Sequence, residues 1–136
     1  MKIVPLEKRH FSEIDWSQTN RLPIHIIPTG NHRTVWGKTA IHDGKVVGIG
    51  LITFYGYTVV ASLFITKTVK KHPILFIKSI KSAINEIYKE GCNILAAASG
   101  GCEREFLEYL GFQRQAVYVN NGVEIARYQY GSSTSQ

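Results

Sequence analysis

The segment 73–91 constrains this chain more than any other. Isoleucine recurs at positions 77, 80, 84 and 87, at three- and four-residue steps that align the side chains as one stripe along an α-helix. Lys78, Lys81, Asn85 and Lys89 fall largely on the other side. Pro73 suits the first helical position, where its missing N–H costs nothing, and Gly91 stands where such a helix would end. A helix with one apolar face must bury it against another layer.

The flanking sequence supplies that layer as strands. Residues 34–42 and 45–54 are β-rich runs separated by Asp43-Gly44. The glycine takes a positive φ without steric cost, so the pair suits a tight hairpin. Gly56 allows a second reversal, and 58–66 is nearly continuous apolar sequence, the pattern of a strand buried on both faces. Residues 93–98 read as another buried strand. Residues 103–110 read as a short amphipathic helix with Phe106, Leu107 and Leu110 inward, stopped by Gly111. Residues 114–119 and 123–130 form a final hairpin around Asn121-Gly122. At the amino end, 2–6 is extended, 11–16 opens a helix, and 17–30, with Pro23 and Pro28, is irregular. The fold class expected is α/β of the α+β kind, a mixed, mainly antiparallel sheet with flanking helices. Residues 1–130 are expected to form a single domain, and 131–136 a disordered tail.

Composition bounds the function. With 44% hydrophobic and 19% charged residues, the sequence is that of a globular fold, not of a disordered chain. The amino-terminal segment lacks the apolar core of a signal peptide, and no run reaches the roughly 18 apolar residues of a membrane span. Cys92 and Cys102 match no zinc or redox spacing and read as reduced thiols of a cytoplasmic protein. No cluster has metal-ligand spacing, so the metal expectation is none. Sixteen Lys and Arg against ten Asp and Glu give a formal charge of +6, which favours anionic partners: a phosphorylated cofactor, nucleic acid or an acidic protein.

The order of elements, together with Glu105-Phe106-Leu107-Glu108-Tyr109-Leu110-Gly111-Phe112, resembles the GNAT acyltransferases, whose short helix closes in Leu-Gly-Phe before the last strands. The resemblance covers most of the chain from about residue 34 to residue 130. The segment 65–73, followed by Phe76 and Lys78, also resembles small GNAT-like proteins of short-tailed bacteriophages. That resemblance would place the protein in a host cytoplasm or a virion. It implies an acetyl-CoA-dependent transfer of an acetyl group to an amine, on a small molecule or a protein. The alternative is a GNAT-fold module without chemistry, a virion or protein-interaction component, and a third reading is a nucleic-acid binder.

Two family features are replaced. The loop before the long helix contains no glycine, where family members use glycines to bring backbone N–H groups close to the CoA pyrophosphate. Lys70 or Lys71 is the nearest stand-in for the basic residue there. The family's general-acid tyrosine aligns with Leu107, which cannot protonate a thiolate. The resemblance assigns the pantetheine arm to strand backbone at Leu63, Phe64, Ile65 and Thr66. It assigns the pyrophosphate to amides and side chains at Val69, Lys70, Lys71, His72 and Ile74. For base and acid roles the residues offer His42, with His25 behind it, and Ser99 or Cys102 after the fifth main strand. Tyr109, two residues beyond the missing tyrosine, is expected on a different helix face.

Overall fold

Asp43 and Gly44 both take positive φ, 51° and 74°, and turn the two longest strands, β2 (Arg33–His42) and β3 (Lys45–Tyr55), back on each other. The computed structural model describes residues 1–19, 33–55, 58–98, 101–120 and 122–131. The expected turn at Gly56, the irregular segment from 20 to 30 and the tail beyond Gly131 lie outside them. β1 (Lys2–Pro5) pairs antiparallel with β2, and β4 (Thr58–Ile65) pairs antiparallel with β3. β5 (Asn93–Ala98) joins β4 in parallel, and β7 (Val123–Tyr130) separates β5 from the edge strand β6 (Phe112–Asn120). The seven-stranded order is β1-β2-β3-β4-β5-β7-β6. One pair is parallel and the others antiparallel, the mixed architecture that the sequence predicts.

The isoleucine stripe forms α3 (Ile74–Lys89), which buries Phe76, Ile80, Ala83 and Ile84. These side chains share one core with Val59, Ala61, Leu63 and Ile65 of β4, with Ile94, Ala96 and Ala98 of β5, and with Phe106, Leu107 and Leu110 of α4 (Gly101–Leu110). Helices α3 and α4 therefore lie on the same face of the sheet, and the Phe76 and Phe106 rings meet edge-on at 5.9 Å. The opposite face carries a smaller core of Ile14, Val46, Ile49, Leu51 and Phe64. It is covered by α1 (His10–Glu13) and a 3-10 turn at Trp16–Gln18, with the Trp16 ring 5.3 Å from that of Phe64.

The structure departs from the sequence expectation between β4 and α3. Residues 67–72 read as a loop, but Lys67–Lys71 forms a separate short helix, α2, and Pro73 becomes the residue preceding α3 instead of its first turn. The cause is tertiary. Val69 is fully buried over β3. A Cβ on Gly48 would lie 2.8 Å from Val69 Cγ2 and 3.4 Å from the Phe76 ring, so Gly48 is what lets α2 sit down on the sheet.

Candidate functional site

The β4–β5 pairing runs from Thr58↔Asn93 only as far as Ala61↔Ala96. Beyond that point β4 keeps its register with β3 to Ile65, and β5 keeps its register with β7 to Ala98. The sheet thus opens along residues 62–65. The Thr66 N–H donates to the Val47 carbonyl at 3.0 Å. By the alternation of an antiparallel ladder, Leu63 and Ile65 turn their N–H and C=O away from β3, toward the opened side. Their side chains are buried under α3, Phe64 points to the other core, and the Thr66 hydroxyl donates to the Val47 carbonyl at 2.7 Å.

On the α3–α4 face lies a groove of about 510 Å³. Pro73, Ile74 and Ile77 form one wall, Phe106 and Tyr109 the other, and Lys70 and Glu105 supply its charged side chains. Ile74 is 69% and Tyr109 75% exposed, apolar surface that a ligand could cover. Neither the Tyr109 nor the Glu105 contribution followed from the sequence reading. Residues 105, 106 and 109 do share one helical stripe, but that they face Ile74 and Ile77 depends on the docking of α3 against α4.

At α2, much of the backbone is already engaged. The Val69 and Lys70 amides donate to the Thr66 carbonyl at 3.1 and 3.4 Å, and the His72 amide to the carbonyls of Thr68 and Val69, each at 3.2 Å. Pro73 has no N–H. Within the segment assigned to a pyrophosphate, the groups left facing outward are the exposed side chains of Lys70, Lys71 and His72 and the start of α3, where no side chain caps the helix.

His42 closes β2 at the hairpin. Its ring stacks on that of His72, with centroids 5.7 Å apart, and its Nε2 lies 3.6 Å from an Asp43 carboxylate oxygen. The structure therefore brings together two of the sequence-selected residues. It does not bring His42 to the point where the sheet opens. Ala61 there is level with Ile52 and Trp36, about 20 Å along the sheet from His42 at the strand rise of roughly 3.3 Å. His25 and Ser99 lie outside the described residues. Cys102 falls in the first turn of α4. Leu107 is 2% exposed and belongs to the main core. Among the described residues no group of three or more His, Cys, Asp or Glu is placed to hold a metal ion, and no helix is long and apolar enough to cross a membrane.

A second cavity, of about 540 Å³, lies on the α1 side against Glu13, Asp15, Lys45, Val47 and Thr66. Its acid Asp15 is committed locally. The Ser17 hydroxyl, the Gln18 amide and the Ser17 N–H all donate to it and hold its carboxyl below the usual range.

No protein-family model matches the chain, and no curated protein does. Solved structures do. The ribosomal-protein-S18-alanine N-acetyltransferase of Escherichia coli superposes with a TM-score of 0.65 at 12% identity, over 99% of this chain and 96% of that one. An acetyltransferase of Bacillus cereus gives 0.56 at 17% identity, over 79% and 81% of the two chains. The yncA protein of Salmonella typhimurium, solved with its cofactor acetyl-CoA, gives 0.55 at 18% identity, over 69% and 62%. At these identities the likeness is one of architecture, and the architecture of this chain is the GNAT fold.

Proposed function

We propose that this chain binds an acyl thioester of the coenzyme A type, with its arm in the opening between β4 and β5, and passes the acyl group to an amine. The observation that carries the proposal is the loss of β4–β5 pairing after Ala61. It leaves the N–H and C=O groups of Leu63 and Ile65 without a strand partner on the β5 side. A pantetheine arm carries two amides that could pair with such an edge as a further strand would. The outward side chains of Lys70, Lys71 and His72 and the uncapped start of α3 suit a phosphate at the mouth.

The cofactor would supply an activated acyl carbonyl and a thiolate leaving group. In the transfer, the amine nitrogen bonds to the carbonyl carbon, the carbon–sulfur bond breaks, and the proton lost by the amine ends on the sulfur. The chain's part is to hold arm and amine together, and such positioning can account for several kcal/mol of a barrier. Leu107 stands where the family's acid would be and offers no proton, so turnover is slow. His42 stands far from Ala61, where the β4–β5 pairing ends, but the other end of the opening, at Ile65, is level with Gly48 and Ala40, two residues from His42. The same buried Leu107 favours the second reading, a GNAT-fold interaction module without chemistry.

Calorimetric titration with acetyl-CoA, joined to an amine screen of the wild type and of Leu107→Tyr, separates the readings. Saturable binding is expected in both proteins, slow acetylation by the wild type, and acceleration in the variant by up to roughly 10²- to 10⁴-fold, the range of general-acid assistance. Leu107→Phe controls for the added ring in the core. Absence of binding in all three proteins would sink the transferase reading and leave the interaction module.

A further inference from the structure

The two edges of the sheet differ in how they are protected. An open edge presents unpaired N–H and C=O groups to any other strand, and short length, lysine and proline all blunt it. β1 has all three, being four residues long with Lys2 at one end and Pro5 at the other. The opposite edge, β6, is nine residues long, and its segment 115–119, Gln-Ala-Val-Tyr-Val, carries neither charge nor proline. Every residue from Gln113 to Val119 is exposed, Val117 by 46%, Tyr118 by 45% and Val119 by 69%. From these features we infer that β6 docks against the β6 strand of a second copy of this chain. The two strands run antiparallel about a two-fold axis at Tyr118 and join two seven-stranded sheets into one.

The register follows from the β6–β7 ladder. Asn120 and Val123 flank a two-residue turn, so the Asn120 carbonyl accepts from the Val123 N–H. Hydrogen-bonded and non-hydrogen-bonded pairs alternate from that point. Tyr118 and Ile125 bond to each other, whereas in Val119↔Glu124 and Val117↔Ala126 the polar backbone groups turn away. Val117 and Val119 therefore present their N–H and C=O groups at the open edge. Facing residues of an antiparallel pair share one side of the sheet. Setting Val117 opposite the partner's Val119 obeys this rule and pairs every one of those outward groups. It also sets Tyr118 opposite the partner's Tyr118 as a non-hydrogen-bonded pair, the closer kind, in which aromatic side chains interact. The irregularity between Arg114 and Ala116 confines regular pairing to residues 116–120.

That register also selects a second copy as the occupant. An isologous contact requires one self-complementary patch, and the outward groups of Val117 and Val119 are placed symmetrically about Tyr118. Each chain carries +6, and like charges directly opposite are destabilising. No charged residue stands at positions 116–120, so the strand can meet its own copy without that penalty.

Five residues from each strand make an interface at the small, transient end of the known range. Sedimentation equilibrium of the full chain between roughly 1 µM and 1 mM should show monomer passing to dimer. The dimer should tighten as salt rises, because screening relieves the repulsion between two basic chains. Val119→Lys places a charge in the paired segment and should weaken association at least ~10-fold. The register is read separately by cross-linking in a Cys92→Ser, Cys102→Ser background. A non-hydrogen-bonded pair holds its Cα atoms about 4.5 Å apart, within reach of a disulfide, so Tyr118→Cys should oxidise to a covalent dimer. Val117→Cys should not, since its counterpart lies two residues further along the partner strand. This second readout stands whether or not Val119→Lys folds. A chain that stays monomeric at about 1 mM overturns the inference, even where β6 captures a strand of some other protein. A dimer that ignores Val119→Lys, that cross-links as well through Val117→Cys as through Tyr118→Cys, or that loosens with salt overturns it too.

Discussion

Among the described residues Tyr128 is the largest of the fully buried side chains, and its hydroxyl donates to Glu108 Oε2 at 2.8 Å, tying β7 to α4. Burial, and then the hydrogen bond and negative charge of Glu108, push the phenol above its ordinary value, which is about 10. The sign follows from the raised value: the neutral phenol is the form the fold favours. Its contribution to stability is complete below the unfolded value and is lost as pH rises toward the folded one. Tyr128→Phe should therefore cost roughly 0.5–1.5 kcal/mol near neutrality and less above about pH 10. Urea unfolding at two pH values checks this, and a cost that does not change with pH would contradict it. His10 is the other buried polar residue with a legible role. The Glu7 N–H donates to its Nδ1 at 3.0 Å and the Thr39 hydroxyl lies 2.8 Å away, so in the neutral ring the proton sits on Nε2. That nitrogen is buried and has no partner. His10→Leu roughly keeps the volume and removes the acceptor for two groups, at about 1–3 kcal/mol for the stranded donors, offset in part by losing the unpartnered Nε2. The same unfolding measurement reads it, and a variant as stable as wild type would show that His10 is not what holds α1 to β2.

Among the elements, α2 tests how far local sequence carries. The α3 stripe, the Asp43-Gly44 turn and the strand 93–98 were legible because each depends on neighbours in sequence: a 3.6 period, a positive-φ pair, a short apolar run between breakers. Lys67–Lys71 was not legible, since five residues form a helix here only because Val69 finds the gap above Gly48. The irregularity in the ladder between Ala40 and Ile41, and the shift between Arg114 and Ala116, likewise left no mark that a periodicity could reveal. Of the candidate site, Lys70 and Ile74 came from the segment that the resemblance assigns to the pyrophosphate, although they stand in α2 and α3. Glu105, Phe106 and Tyr109 required the α3–α4 contact, which no single helix encodes. Gly48→Ala puts the argument to the test. Its methyl would meet a β-branched side chain at 2.8 Å, and overpacking of this kind costs roughly 1–3 kcal/mol. Adding Val69→Ala should return part of that loss, giving a favourable coupling between the two sites in a double-mutant cycle. Additive effects would mean that α2 does not rest on Gly48.

At the scale of the whole molecule, charge and binding pull in opposite directions, and salt separates them. Several of the carboxylates are already committed: Glu7 and Glu13 to Arg9, and Glu124 to Arg104. The lysines of α2 and the outer face of α3 have no such partners among the described residues, and the chain carries a surplus of +6. Like charges on one surface destabilise the compact state. At physiological ionic strength the screening length is about 8 Å, and moving from low salt toward that regime should raise the melting temperature of the free protein. A ligand that neutralises the same lysines gains less as they are screened. At a free concentration 100 times its Kd, a ligand specific to the folded state adds about 2.7 kcal/mol, a shift on the order of 10 °C for a chain of this size. With the concentration of acetyl-CoA held fixed, that ligand-induced shift should shrink with salt while the free protein's melting temperature climbs. The shift produced by acetyl-pantetheine, which brings no phosphate, should stay nearly constant. Differential scanning of the free and bound protein over a salt series measures all of these slopes. A ligand shift that ignores salt would show that the basic face of α2 takes no part in binding, whatever occupies the groove.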